Sequence, residues 1–165
     1  MFQAISVAAI LLLTVIDRLT KYAAVSVLKP NGPEEFLFGL FQFRYVENTG
    51  AAFSSFSENK FMLLFLSGGL LLAVLFVLLT KKIDSKLVNV SLVLVSAGGL
   101  GNLIDRVLNG YVVDFIEPLF IKFAVFNFAD ICITVGAFML IGFEIYEIVR
   151  ETKAKNESEK AAEND

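Results

Sequence analysis

Four stretches of the chain, near residues 4–28, 61–80, 87–104 and 130–149, are apolar over about the 20 residues that a helix needs to cross a hydrocarbon core roughly 30 Å thick. Such stretches make the chain a polytopic membrane protein, since few other settings accommodate four of them in 165 residues. The second, Phe61 to Thr80, is almost pure Leu, Val and Phe around Ser67, Gly68 and Gly69, and the third runs through Ala97, Gly98, Gly99 and Gly101. Small residues at such spacing let helices pack closely. The predicted fold is mainly α, a bundle of four transmembrane helices in one membrane-embedded domain over residues 1–149.

Lys81, Lys82 and Lys86 lie between the second and third spans, and Arg150, Lys153 and Lys155 follow the fourth. The positive-inside rule places these ends in the cytoplasm, with both termini inside and the other two links outside. Residues 150–165 turn to Glu, Lys, Asn, Ser and Ala without periodicity, which predicts a disordered cytoplasmic tail. The first span lacks a basic start and is interrupted by Asp17, Arg18 and Lys21, so it is expected to remain a span and not a cleaved leader. In the outer links, residues 41–45 and 111–116 alternate with period two and predict short strands in a small extracytoplasmic β element. Asn48-Thr49-Gly50 is a turn signal.

Several chemistries are excluded at once. The chain has no histidine, which removes Ser-His-Asp and Cys-His triads and histidine zinc sites. Lys and Arg total 14 against 17 Asp and Glu, a net charge of −3, and offer no cationic field for nucleic acid. The single cysteine, Cys132, sits between Ile131 and Ile133 and reads as a small buried hydrophobe.

The polar residues inside the spans are the informative ones. At about 2.5–3.5 kcal/mol for each charge at mid-membrane, Asp17, Arg18 and Lys21 together cost about 7–10 kcal/mol unless partnered. Asp17 and Lys21, at i and i+4, have the spacing and order of a helical ion pair. Asn102, Asp105 and Arg106 share one face at the outer end of the third span, although Asp105 and Arg106 point about 100° apart and need different partners. Asn127 is placed to cap the fourth span, with Asp130 in its first turn. The topology gathers Lys21, Asn102, Asp105, Arg106, Asp114 and Asp130 near the outer membrane face. Two close carboxylates there could share one proton and act as an aspartyl hydrolase, with either Asp105 or Asp114 as the partner of Asp130.

Five motifs then occur in order: Asp17-Arg18-Leu19-Thr20-Lys21, Asn48-Thr49-Gly50-Ala51-Ala52-Phe53-Ser54, Gly101-Asn102-Leu103-Ile104-Asp105-Arg106, Val112-Val113-Asp114-Phe115 and Phe126-Asn127-Phe128-Ala129-Asp130. Together, over residues 17 to 136, the chain resembles the bacterial lipoprotein signal peptidases, or signal peptidase II. The resemblance implies an aspartic endopeptidase of the cell (inner) membrane, whose catalytic pair is Asp114 and Asp130. It implies removal of signal peptides from prolipoproteins, with the cut just before a cysteine that carries a diacylglyceryl thioether. By the same resemblance Asp17, Lys21, Asn48, Gly50, Asn102, Asp105, Arg106 and Asn127 support or line the site; the link from Asp114 to Asp130 holds few residues, so any outer flap is expected to be short. The expected partners are lipidated precursors and membrane lipids; no metal or cofactor is expected, and the chain is expected to work as a monomer. The rival readings are a small proton or ion transporter using Asp17, Asp105 and Asp130, a non-catalytic scaffold, and a Ser-Lys hydrolase built on Ser54 and Lys21.

Overall fold

A computed structural model describes residues 2–50, 60–80 and 84–163. Four long helices account for most of it: α1 (Phe2–Asn31), α2 (Lys60–Thr80), α3 (Lys86–Asn109) and α4 (Phe128–Glu163). All four are long and apolar enough to cross a membrane. Three strands, β1 (Glu34–Phe36), β2 (Phe41–Asn48) and β3 (Val112–Pro118), form one antiparallel sheet in the order β1-β2-β3.

Burial runs opposite to that of a water-soluble bundle. Leu12, Leu19, Phe65, Leu72, Phe76 and Phe138 are exposed on the outside, while Asp17, Lys21, Asn89, Ser91, Ser96, Asn102 and Asp105 are buried between helices. An apolar exterior suits lipid, and the bundle interior is where a membrane protein keeps its polar groups. Helix α3 is the centre of the bundle, with 50% of its apolar window buried against 17–22% for the other three. Its small residues explain why. A Cβ on Gly98 would strike the carbonyl oxygen of Ala129, so α3 meets α4 at backbone distance, and one on Gly101 would strike Asp17 Oδ2, so the buried carboxylate of α1 packs directly on α3. An apolar core of Ile10, Leu78, Leu92, Val93 and Ala97 joins α1, α2 and α3 on one side of this crossing.

The other end of the bundle carries the sheet. Gly110, with φ of +80°, ends α3 in the left-handed conformation and donates its N–H to Arg106 O, which turns the chain directly into β3. The two alternating segments form the expected strands, with Val46 opposite Asp114 and Asn48 opposite Val112. Val113 and Phe115 pack with Ala24 and Leu28 of α1, which seats the sheet over the helix ends.

Three features depart from the sequence reading. Strand β1 pairs with β2 through a turn in which Leu37, Phe38 and Gly39 all have positive φ. Helix α1 continues to Asn31 and includes Pro30 in its final residues. The disordered tail predicted over residues 150–165 is corrected: α4 remains helical to Glu163, with residues 150–158 exposed. Ala, Glu and Lys are strong helix formers that continue an existing helix without a nucleation cost, and Arg150 Nη1 pairs with Glu147 at 3.2 Å.

Candidate active site

The site grows from a buried ammonium. Lys21 Nζ lies 3.0 Å from Asp17 Oδ2, 3.0 Å from Asp105 Oδ2 and 2.9 Å from Asn102 Oδ1, so its three donors face three acceptors. The Lys21, Asp17 and Asp105 side chains are at most 1% exposed. Such burial is tolerable only with full pairing, and Arg18, bonded to Asp105 Oδ1, brings the group to neutrality. The pair expected between Asp17 and Lys21 is therefore one edge of a larger cluster. Asp105 and Arg106 do take different partners: Arg106 Nη2 donates to Gly50 O at 3.1 Å.

This cluster fixes the elements that carry the two acids. Asp17 Oδ1 accepts the N–H of Ala129 at 3.0 Å, so α1 caps the first turn of α4 from outside. Asp105 Oδ2 accepts the N–H of Val113 at 3.1 Å, which holds β3 one residue from Asp114. Asn127 caps α4 as expected: its Oδ1 accepts Asp130 N–H at 3.0 Å while Asp130 Oδ2 accepts Asn127 N–H at 3.1 Å, a reciprocal capping box. Asp130 is thus locked in orientation by the helix end that bears it.

Two asparagines link the acids to the charged cluster. Asn102 Oδ1 faces Lys21, and its Nδ2 donates to Asp130 Oδ1 at 2.8 Å. Asn127 Nδ2 donates to Asp114 Oδ1 at 2.6 Å and also reaches Asn102 Oδ1 at 3.2 Å. Asn48 Nδ2 donates to Asp114 Oδ2 at 2.9 Å, and the Asn48-Thr49-Gly50 turn closes with Gly50 N–H on Asn48 Oδ1 at 3.0 Å. All four carboxylate oxygens of Asp114 and Asp130 therefore accept a hydrogen bond from an amide. Among the described residues no hydrogen bond joins the two acids directly; Asn127 connects them. Burial, and then the charge of Asp130, push the Asp114 carboxyl up to about 6, against the bonds from Asn48 and Asn127.

Both acids open onto a groove of about 510 Å³, lined on its polar side by Asn48, Asn102 and Arg106 and elsewhere by residues 123–126 and the first turns of α4. Ile131 and Val135 on that wall are 40% and 45% exposed on the lipid-facing side of α4. The groove thus meets the apolar exterior.

Every residue proposed for the site from the sequence falls in this network: Asp17, Lys21, Asn48, Gly50, Asn102, Asp105, Arg106, Asp114, Asn127 and Asp130. Of the two candidate partners for Asp130, Asp114 shares its groove, whereas Asp105 is turned to Lys21 and Arg18. Ser54, with Ala51, Ala52 and Phe53 of its motif, and Lys81 and Lys82 lie outside the described residues. Sequence reasoning noted Arg18 only as a charge and missed its bond to Asp105. It also missed the groove wall at 123–125, which carries no motif. Among the described residues no group of three or more His, Cys, Asp or Glu is arranged to hold a metal ion.

Known proteins resemble this chain in sequence and in fold. A lipoprotein signal peptidase of Streptococcus thermophilus is 40% identical over 133 residues, covering 81% of this chain and 87% of its own. One from Clostridium tetani is 36% identical over 136 residues, with the same coverage. A bacterial membrane enzyme solved by the in meso method at 2.3 Å superposes with a TM-score of 0.81 at 28% identity, covering 88% of this chain and 90% of that one. The family model described as signal peptidase (SPase) II matches residues 9–146, which take in the charged cluster, both asparagines and both groove-facing acids. With that span and these relatives, the chain belongs to the signal peptidase II family, and is a peptidase and a multi-pass bacterial membrane protein.

Proposed function

We propose that this peptidase is an aspartyl endopeptidase that removes the signal peptide from diacylglyceryl-modified prolipoproteins, with Asp114 and Asp130 as its catalytic pair. The observation that carries the reading is the groove: two amide-held carboxylates face an apolar channel that opens at the lipid-facing side. A substrate that is itself a membrane helix with a lipidated cysteine reaches such a site without leaving the bilayer.

The chemistry follows from the two environments. Asp130, in the first turn of α4 and held by amide donors from Asn102 and Asn127, acts as the base. Asp114, whose carboxyl is raised to about 6, holds the proton. Water attacks the scissile carbonyl carbon as Asp130 takes one of its protons, and Asp114 gives its proton to the carbonyl oxygen. The resulting gem-diol returns a proton to Asp114 as its carbonyl reforms, the C–N bond breaks, and the proton held by Asp130 passes to the leaving nitrogen. Arg106 holds the 48–50 turn beside Asp114, and Asn102 and Asn127 keep both acids aimed.

The distribution of charge argues against an ion path. No Asp, Glu, Lys or Arg lies in α1 before Asp17, in α3 between Lys86 and Asp105, or in α4 between Asp130 and Glu144, so the titratable groups gather at one end. With both termini cytoplasmic, that end faces outward. The test compares cleavage by the purified protein of one precursor in diacylated and non-lipidated forms. Cutting of the diacylated form alone supports the reading; equal cutting of both contradicts its substrate class.

A further inference from the structure

Phe126, at the end of the 123–126 segment, makes an isolated bridge to β3. Phe126 N–H donates to Ile116 O at 2.9 Å and Phe126 O accepts Ile116 N–H at 2.8 Å, a closely spaced antiparallel pair. The next such pair in this register would oppose Ala124 to Pro118, which has no N–H to donate, and the pairing stops after one bridge. Because Phe126 directs its backbone polar groups at β3, Val125 and Asn127 direct theirs the other way. Asn127 N–H meets Asp130 Oδ2 at 3.1 Å, whereas the N–H and C=O of Val125 have no partner among the described residues.

That open edge runs along the groove. Phe123, Ala124, Val125 and Phe126 all line it. The face of a strand presents every second residue, so four successive residues mark its edge. Two residues at about 3.3 Å each separate Val125 from Asn127, so a chain paired at Val125 reaches Asp130 about 7 Å further on.

Resting on the peptidase reading above, we infer that the segment of the substrate around the scissile bond unwinds and adds to this edge as an antiparallel strand, one residue exchanging both backbone hydrogen bonds with Val125. The occupant is an extended peptide because only an unwound backbone has free N–H and C=O groups to offer the edge. It also has a scissile carbonyl no longer hydrogen-bonded within a helix. Side chains on this edge then set which residues fit, but the backbone of Val125 sets the register of the cut.

The test is an N-methyl scan of a synthetic diacylated precursor peptide, one amide at a time on both sides of the scissile bond, against the full-length wild-type protein. Methylation removes one donor. The expected result is a loss in kcat/KM of about tenfold or more at one amide, the one that donates to the Val125 carbonyl, and less than about threefold at the amides on either side of it. Equal losses at neighbouring amides, or none beyond the scissile amide, overturn the strand. Val125→Pro removes the enzyme's own donor at a position where an edge strand accepts proline. It should lower kcat/KM about tenfold and shrink the penalty of the sensitive methyl group to less than about threefold; an undiminished penalty also overturns it. If the unmethylated peptide is not cut by the wild-type protein, the peptidase reading fails first and the strand with it.

Discussion

Asn127 Nδ2 stands 2.6 Å from Asp114 Oδ1, while the backbone N–H of the same residue holds Asp130 Oδ2 at 3.1 Å. One residue thus aims both acids and ends the helix that carries one of them. Asn127→Ala removes the cap, worth about 1 kcal/mol, and the donor to Asp114. We expect kcat to fall about a hundredfold, the order seen when an orienting donor is lost, with only a modest drop in thermal stability. Steady-state kinetics on a lipidated precursor, beside a thermal unfolding curve in detergent, separates the two effects.

Lys21 carries the charge balance of the interior, and its loss should be read in stability. Lys21→Met leaves Asp17 and Asp105 buried without the ammonium they share, and breaking a buried pair costs about 3–5 kcal/mol. Adding Asp105→Asn removes one of the stranded charges and should restore part of the loss. A thermal unfolding comparison of the two variants checks this; a double variant less stable than the single one contradicts it.

Packing at the α1–α3 crossing gives a third expectation. Gly101→Ala places a methyl group against Asp17 Oδ2, which is also tied to Lys21. Overpacking of this kind costs about 1–3 kcal/mol. Because Asp17 caps α4 through Ala129 N–H, activity should fall together with the unfolding temperature.

The raised carboxyl of Asp114 has a defined pH signature. Its value is about 6 in the folded chain against 3.8 for a free aspartate, so the folded state binds the extra proton between those values. The stability it contributes is complete below pH 3.8 and lost as pH rises through about 6, a change on the order of 3 kcal/mol. Asp114→Asn should flatten that part of the stability profile. In the wild-type protein the alkaline limb of kcat/KM should fall where Asp114 gives up its proton. A stability difference between wild type and variant that is independent of pH from 4 to 7 contradicts the assignment.

The bundle was legible because its apolar runs match the thickness of a bilayer, and β2 and β3 because their alternation is a local property. Strand β1 was not: Glu34-Glu35-Phe36 is too short to alternate, and its turn puts Leu37 and Phe38 at positive φ, where residue preference points to Gly or Asn. The capping role of Asn127 and the pairing of Asp17 with Lys21 lie within one helical turn and could be read directly. The second partner of Lys21, the bond from Arg18 to Asp105 and the reach of Asn127 to Asp114 join separate elements and exist only after packing. Spacing alone leaves both Asp105 and Asp114 near Asp130, and it is the resemblance that points to Asp114. Residues 123–125 escaped notice because their placement along the groove exists only after the chain packs against β3.

The most direct measurement is the turnover number of Asp114→Asn and of Asp130→Asn on a diacylated precursor, each checked for an intact unfolding transition in detergent. Asparagine keeps the size of each side chain and removes only its capacity to take up or give a proton. The account predicts folded proteins whose kcat is lower by at least about a thousandfold in both cases. Cleavage within tenfold of the wild-type rate by either folded variant would contradict it.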